Sequence, residues 1–176
     1  MRKIIDYLRL ILFMGGVLVG IQVPGFIDQY SKSLEAHSRE STLSLEEFQA
    51  DANKYFNGDL EKLISHYQSN EDPVFNTGGD SIRAIYSRNL LLGKAVEEFQ
   101  RTTYSAYIHV FLHPVTQIKN EVWESYSYNI LLNESAIISG LSLGVILSAI
   151  TDLLVLLLIS ILRTLKRQVQ VKVTRN

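Results

Sequence analysis

The chain of 176 residues contains no cysteine. That absence excludes disulfides, thiolate zinc sites, iron–sulfur clusters and cysteine nucleophiles together. Catalytic signatures are missing as well. There is no HExxH or Glu-x-x-His pair, no P-loop lysine, no dinucleotide-binding glycine spacing, and no nucleophile elbow around Ser65 and His66. Proline occurs only three times. With apolar residues recurring at helical spacing, that scarcity predicts an all-α chain. The formal net charge of −1 hides a strong segregation of charge and apolar residues along the sequence.

Two runs stand out. Leu10 to Ile27 reads LILFMGGVLVGIQVPGFI, with Gln22 its one strongly polar side chain. Extended back to Ile4 it is 24 residues, or ~36 Å of helix at ~1.5 Å per residue, enough to cross a ~30 Å hydrocarbon core with some tilt. Asp6 and Arg9 fall in its first turns, where an arginine snorkels to the headgroups. Met1-Arg2-Lys3 resembles the start of a signal peptide, but no small-x-small cleavage site precedes the polar region. A retained anchor is the expectation. The second run, Ala136 to Leu162, is 27 residues with one ionised side chain, Asp152.

Basic residues set the orientation. Arg2, Lys3 and Arg9 open the first run; Arg163, Lys166, Arg167, Lys172 and Arg175 follow the second, with no acid after it. Between the runs, Pro24 to Glu134 holds nine basic and sixteen acidic residues. The positive-inside rule therefore puts both termini in the cytoplasm and the centre outside, in the periplasm of a bacterium. The expected organisation is an N-terminal span over 1–27, a helical extracytoplasmic domain over 28–134, a second span over 135–162 and a basic tail over 163–176. The two spans form an antiparallel hairpin joined by an elongated helical bundle.

Within the centre, Phe26, Ile27, Tyr30 and Leu34 carry the first helix outward past Pro24. Ser44-Leu45-Glu46-Glu47 reads as a capping box with a Leu43–Phe48 staple that starts a new helix, ended by Asn57-Gly58. Asp59 caps a short helix with Leu60, Leu63, Ile64 and Tyr67 on one face. Residues 69–80 read as a loop, with Asp80 capping a long helix whose stripe runs from Ile82 to Val110 until Pro114. Val115, Ile118 and Val122 resume the pattern. Trp123, Tyr126 and Tyr128 are either an interfacial aromatic belt or bundle core.

Asp152 is the most informative side chain. A carboxylate near the bilayer centre costs roughly 2.5–3.5 kcal/mol unless paired or protonated. It either pairs with Arg9, binds across an oligomer or to a partner helix, or carries protons. Counted from the cytoplasmic ends, Arg9 is ~8 Å and Asp152 ~15 Å deep, a gap that a guanidinium bridges. Ala136, Gly140, Gly144, Ser148 and Asp152 recur every four residues, as do Gly16, Gly20 and Pro24. Small residues so spaced let helix backbones approach closely, within a hairpin or between copies. Arg163, Lys166 and Arg167 are expected to meet anionic lipid. Gln168 to Val173 alternates polar residues with valine, which reads either as a frayed basic flank of the anchor or as a strand added to a partner's sheet. His109 and His113 lie one helical turn apart without further ligands, so no metal is expected. Gly78-Gly79-Asp80-Ser81 reads as a turn at a helix start rather than an anion site. Asn133-Glu134-Ser135 matches a glycosylation sequon but abuts the membrane.

VPGFIDQY at Val23–Tyr30, YFNGDLEKLISHYQSNEDPVF at Tyr55–Phe75 and the Asp80-Ser81-Ile82 start resemble a family of small two-pass inner-membrane proteins of proteobacteria that is catalogued as uncharacterised. The resemblance runs over nearly the whole chain. It implies a bacterial inner-membrane location and supplies no activity or catalytic residue. The functional expectation is a non-enzymatic accessory or scaffold protein that works by helix–helix association, as a homo-oligomer or a subunit of a larger membrane complex. Its partners are then membrane lipids and protein, with no nucleic acid. Two alternatives are a sensor-like periplasmic ligand-binding receptor and an oligomeric ion or proton path using Asp152. Fourteen residues follow Leu162, so a receptor's output would pass through a partner.

Overall fold

The computed structural model describes residues 2–126 and 134–173, with side chains from Ile5 to Ile161 within that range, Thr103 excepted. Among them are six helices and no strand: α1 Arg2–Tyr55, α2 Leu60–Gln68, α3 Pro73–Gln100, α4 Thr103–Leu112, α5 Thr116–Ser125 and α6 Glu134–Val173. The chain divides into two compact units, Met1–Gly25 with Ser127–Asn176, and Phe26–Tyr126.

The first unit holds the apolar part of α1 and the whole of α6. Both helices are long and apolar enough to cross a membrane, over Ile5–Tyr55 and Glu134–Ile161. Only 22% and 11% of their most apolar stretches are buried by the chain. The core helix of a soluble protein would be mostly covered. Here Leu18, Val19, Leu153 and Leu156 are all more than half exposed. α6 stays helical through Gln168–Val173, so the strand-like alternation there is overridden by continuation of the preceding helix.

The second unit is built around the outer part of α1. Tyr30, Leu34, Ser41, Leu45 and Ala52 are buried at alternating four- and seven-residue spacing, an 11-residue repeat that keeps one face of α1 inward and carries it as a single helix to Tyr55. The capping box expected at Ser44 is therefore not used. Ser44 Oγ donates instead to Glu40 O, 2.9 Å away, four residues back in the same helix. Leu45 and Ala52 join Leu60, Leu63, Ile64 and Ile82 in a distal core, flanked by Phe48, Phe56, Tyr67, Ile85 and Tyr86. The stop at Asn57-Gly58 is where the sequence puts it: both residues have positive φ, 53° and 84°. Asp59 caps α2 by accepting from Lys62 N at 3.1 Å. That bond holds its carboxyl below the usual carboxylate range.

The loop expected over 69–80 is shorter. Asp72, not Asp80, caps α3, accepting from Val74 N at 2.9 Å, with Pro73 in the first turn. Proline fits there because its missing N–H is one of the unpaired donors of a helix start. Gly78 and Gly79 are thus helical, and Gly79 is where α3 approaches α2. A methyl group on Gly79 would sit 2.7 Å from Gln68 Cγ and 2.8 Å from Gln68 N. Gln68 ties the corner together, donating to Asp80 Oδ1 at 2.6 Å and accepting from Arg83 Nε at 3.3 Å. The stripe from Ile82 to Val110 is also two helices rather than one. α3 ends at Gln100, and Thr102 and Ser105 form a reciprocal capping box that starts α4. Pro114 separates α4 from α5, whose Ile118 and Val122 are buried.

Candidate functional site

In the first unit the two ridges of small residues meet each other. A methyl group on Gly16 would sit 2.9 Å from Gly144 Cα, and one on Gly20 would sit 2.7 Å from both Gly140 Cα and Ser139 O. In the other direction, a methyl on Gly140 would lie 3.0 Å from Val17 O, and one on Gly144 would lie 3.0 Å from Phe13 O. Backbone faces backbone, a separation that only glycine allows. Gly15, one residue from the ridge, has nothing within 4 Å of its absent side chain. Ala136 is buried on the α6 ridge, and Ser148 is half-buried.

At the end of the same ridge Arg9 Nη1 lies 3.6 Å from Asp152 Oδ2. Arg9 also reaches Asp6 at 3.8 Å, one turn back on its own helix. Thr151, next to Asp152 and buried, donates to Leu147 O at 2.8 Å. The side chains of Arg163, Lys166 and Arg167 lie outside the described residues, as do Tyr128 and Asn133.

The second unit holds a polar node that the sequence did not single out. Tyr30 is fully buried, and its hydroxyl accepts from Val115 N at 2.9 Å and stands 3.2 Å from His109 Nε2. In the arrangement that satisfies both, the tyrosine proton goes to Nε2 and the imidazole proton sits on Nδ1. Nδ1 faces Glu98 Oε2 at 3.6 Å, an electrostatic contact rather than a hydrogen bond. Burial pushes the His109 pKa down against the pull of Glu98, and burial pushes the Tyr30 phenol up. Phe99 completes the node, its ring 6.0 Å from Tyr30 and 6.1 Å from His109. His109 is therefore committed to tying α4 to α1. Its neighbour His113 follows the last turn of α4, its backbone N–H bonded to His109 O. No group of three or more His, Asp or Glu side chains among the described residues stands close enough to hold a metal.

A second polar network crosses from α1 to α5 and α3. His37 Nε2 is 2.8 Å from Glu121 Oε2, and Arg88 donates to Gln117 Oε1 at 2.9 Å while standing 3.4 Å from His37 Nδ1. The bond from His37 holds the Glu121 carboxyl below its ordinary value. Beside it is a cleft of about 370 Å³ lined by Lys32, Ser33, His37, Glu40, Glu121 and Ser125. Trp123 is two-thirds exposed, yet its ring lies edge-on to buried Phe26 at 5.8 Å, with Tyr126 on the same ring at 5.5 Å. The sequence offered aromatics and histidines here, but their partners come from helices about 50 to 100 residues away. Ser65 and His66 lie on the exposed side of α2, with the Phe56 ring 5.5 Å from the imidazole. Gly78 to Ser81 lie inside α3, past the first turn whose N–H groups would face an anion.

Helices, ridges and nodes together define the class: an all-helical protein with two helices long and apolar enough to span a membrane. Residues 4–164 match the family described as Protein of unknown function (DUF2937), and the chain belongs to that family. No curated protein and no solved structure matches it.

Proposed function

We propose that this chain is an integral protein of the bacterial inner membrane that acts without catalysis, by association with a second membrane protein or with its own copies. Both termini are cytoplasmic and the centre is periplasmic. The observation that carries the reading is the uncovered apolar surface of α1 and α6, combined with ridges that are already occupied. Gly16 faces Gly144 and Gly20 faces Gly140, an order of pairing that supports an antiparallel hairpin within one chain. The glycines are then spent on holding the hairpin closed. Association with other proteins falls to the large aliphatic faces outside the ridge and to the periplasmic domain. The Arg9–Asp152 contact at 3.6 Å supports the paired reading of Asp152, in which each charge offsets the other's desolvation.

The sensor-like alternative draws on the cleft beside His37 and on a second one of about 600 Å³ near Leu45, Gln49, Asn53 and Tyr86. The deciding experiment is extraction of the tagged chain at native expression in a mild detergent, with its mass and its companions identified by mass spectrometry. A stoichiometric foreign protein makes it an accessory subunit; a clean homo-oligomer makes it a self-assembled scaffold. A bare monomer without companions refutes association.

A further inference from the structure

We infer that α4 lies in the surface of the membrane, with Tyr104, Ile108, Phe111 and Leu112 immersed between headgroups and acyl chains. This rests on the membrane-spanning reading of α1 and α6.

α4 reads TYSAYIHVFL and carries no Lys, Arg, Asp or Glu. One side packs inward through His109 and Val110, both buried. The opposite side presents Tyr104, Ile108, Phe111 and Leu112, each at least half exposed and Tyr104 as much as 80%. Their spacing of four, three and one places them on a single helical face. A helix at a water surface turns charge outward. A helix apolar on both sides needs an apolar environment on both sides.

Its position supplies one. Tyr30 comes three residues after Ile27, where the apolar run ends, or ~4.5 Å of helix. The headgroup zone is ~5–7 Å deep on each side of the hydrocarbon core, so Tyr30 stands within it. His109 Nε2 at 3.2 Å and Val115 N at 2.9 Å from the Tyr30 hydroxyl pin both the last turn of α4 and the residues after it to that level. Trp123, packed on Phe26 at 5.8 Å, shares it, and tryptophan favours this zone. Exposed Arg101, just before α4, is placed to meet lipid phosphate. At this depth lipid is the ever-present neighbour, and a protein partner would have to displace it to reach the same four side chains.

The native chain lacks cysteine, so single-cysteine variants report one position each. Ile108→Cys and Phe111→Cys are spin-labelled in the full chain and reconstituted in phosphatidylethanolamine–phosphatidylglycerol vesicles. Leu153→Cys, exposed on α6, is the lipid reference, and Leu43→Cys, exposed on the outer part of α1, is the water reference. Power saturation with oxygen and with a neutral nickel chelate measures the depth of each. The expected result is that labels at 108 and 111 favour oxygen over nickel several-fold, like the label at 153 and unlike the one at 43. Nickel access at 108 and 111 equal to that at 43, with 153 in lipid, overturns the inference while the spanning reading stands. Shielding of 108 and 111 from both reagents also overturns it, because protein then covers the face. Nickel access at 153 removes the spanning reading and the inference with it.

Discussion

Two adjacent glycines on α1 provide a sharp test of how its ridge is used. A methyl group added at Gly20 would stand 2.7 Å from Gly140 Cα and 2.7 Å from Ser139 O, both backbone atoms that no rotamer change can move. Carbon atoms in contact prefer about 3.5–4.0 Å, so α1 and α6 must part locally by about 1 Å. A gap of that size forfeits roughly a quarter to a half of each contact's dispersion energy. On the membrane-spanning reading there is no hydrophobic driving force between the two helices, and that energy is what holds the pair. Gly20→Ala and Gly16→Ala are each expected to weaken the pairing by about 1–3 kcal/mol, or about 5- to 150-fold in the closed population. Gly15→Ala, with nothing within 4 Å, is expected to be neutral. Fluorophores on cysteines replacing exposed Leu10 and Leu154 report the helix separation as sodium dodecyl sulfate is titrated in. Equal midpoints for the Gly15 and Gly16 variants would refute the close-approach argument.

Removing one member of the Arg9–Asp152 pair should cost more than removing both. On the membrane-spanning reading, Asp152→Leu is expected to lower the same midpoint by about 1 kcal/mol or more relative to the Arg9→Leu, Asp152→Leu double variant, since it leaves Arg9 with the 3.8 Å contact to Asp6 in place of the interhelical one. A coupling near zero would show that the two are independent. His109 is held below its ordinary pKa by burial, so the unfolded chain binds the proton more readily. Its contribution to stability is complete above the unfolded value of about 6.5 and is lost as the pH falls through that value towards the lower folded one. The thermal midpoint of the second unit should fall between pH 7.5 and 5.5, and His109→Gln should flatten that slope. Glu121, held below its ordinary value by His37, adds a separate loss at more acid pH, where its carboxylate takes up a proton. In α3, Gly79→Ala drives a methyl into Gln68 and should destabilise by about 1–3 kcal/mol. Gly93→Ala, with nothing within 4 Å, should stabilise by about 0.5–1 kcal/mol. Chemical denaturation of the two variants separates these outcomes by sign.

Features settled within one stretch of chain could be read from the sequence. The two apolar runs are each one unbroken segment, and the break at Pro114, the stop at Asn57-Gly58 and the Asp59 cap depend on residues a turn or less apart. The boundaries that moved were those where two local solutions compete. Ser44 is as good a cap as a helix-interior residue, and Thr102 opens α4 in the middle of an unbroken apolar stripe. Gly78-Gly79 reads as a turn until Gln68 is known to lie against it.

The sequence alone therefore determined the helical class, the two candidate spans and the small-residue ridges, because composition and periodicity act locally and need no partner. Which ridge faces which was a question of tertiary structure. Close approach of glycine backbones is a relation between Gly20 and Gly140, 120 positions apart, and no spacing along one helix encodes it. The same holds for Tyr30, one residue of an apolar face until α4 and the start of α5 bring His109 and Val115 to its hydroxyl. Burial makes an unpaired phenol costly, and only the folded chain supplies the groups that pair with it.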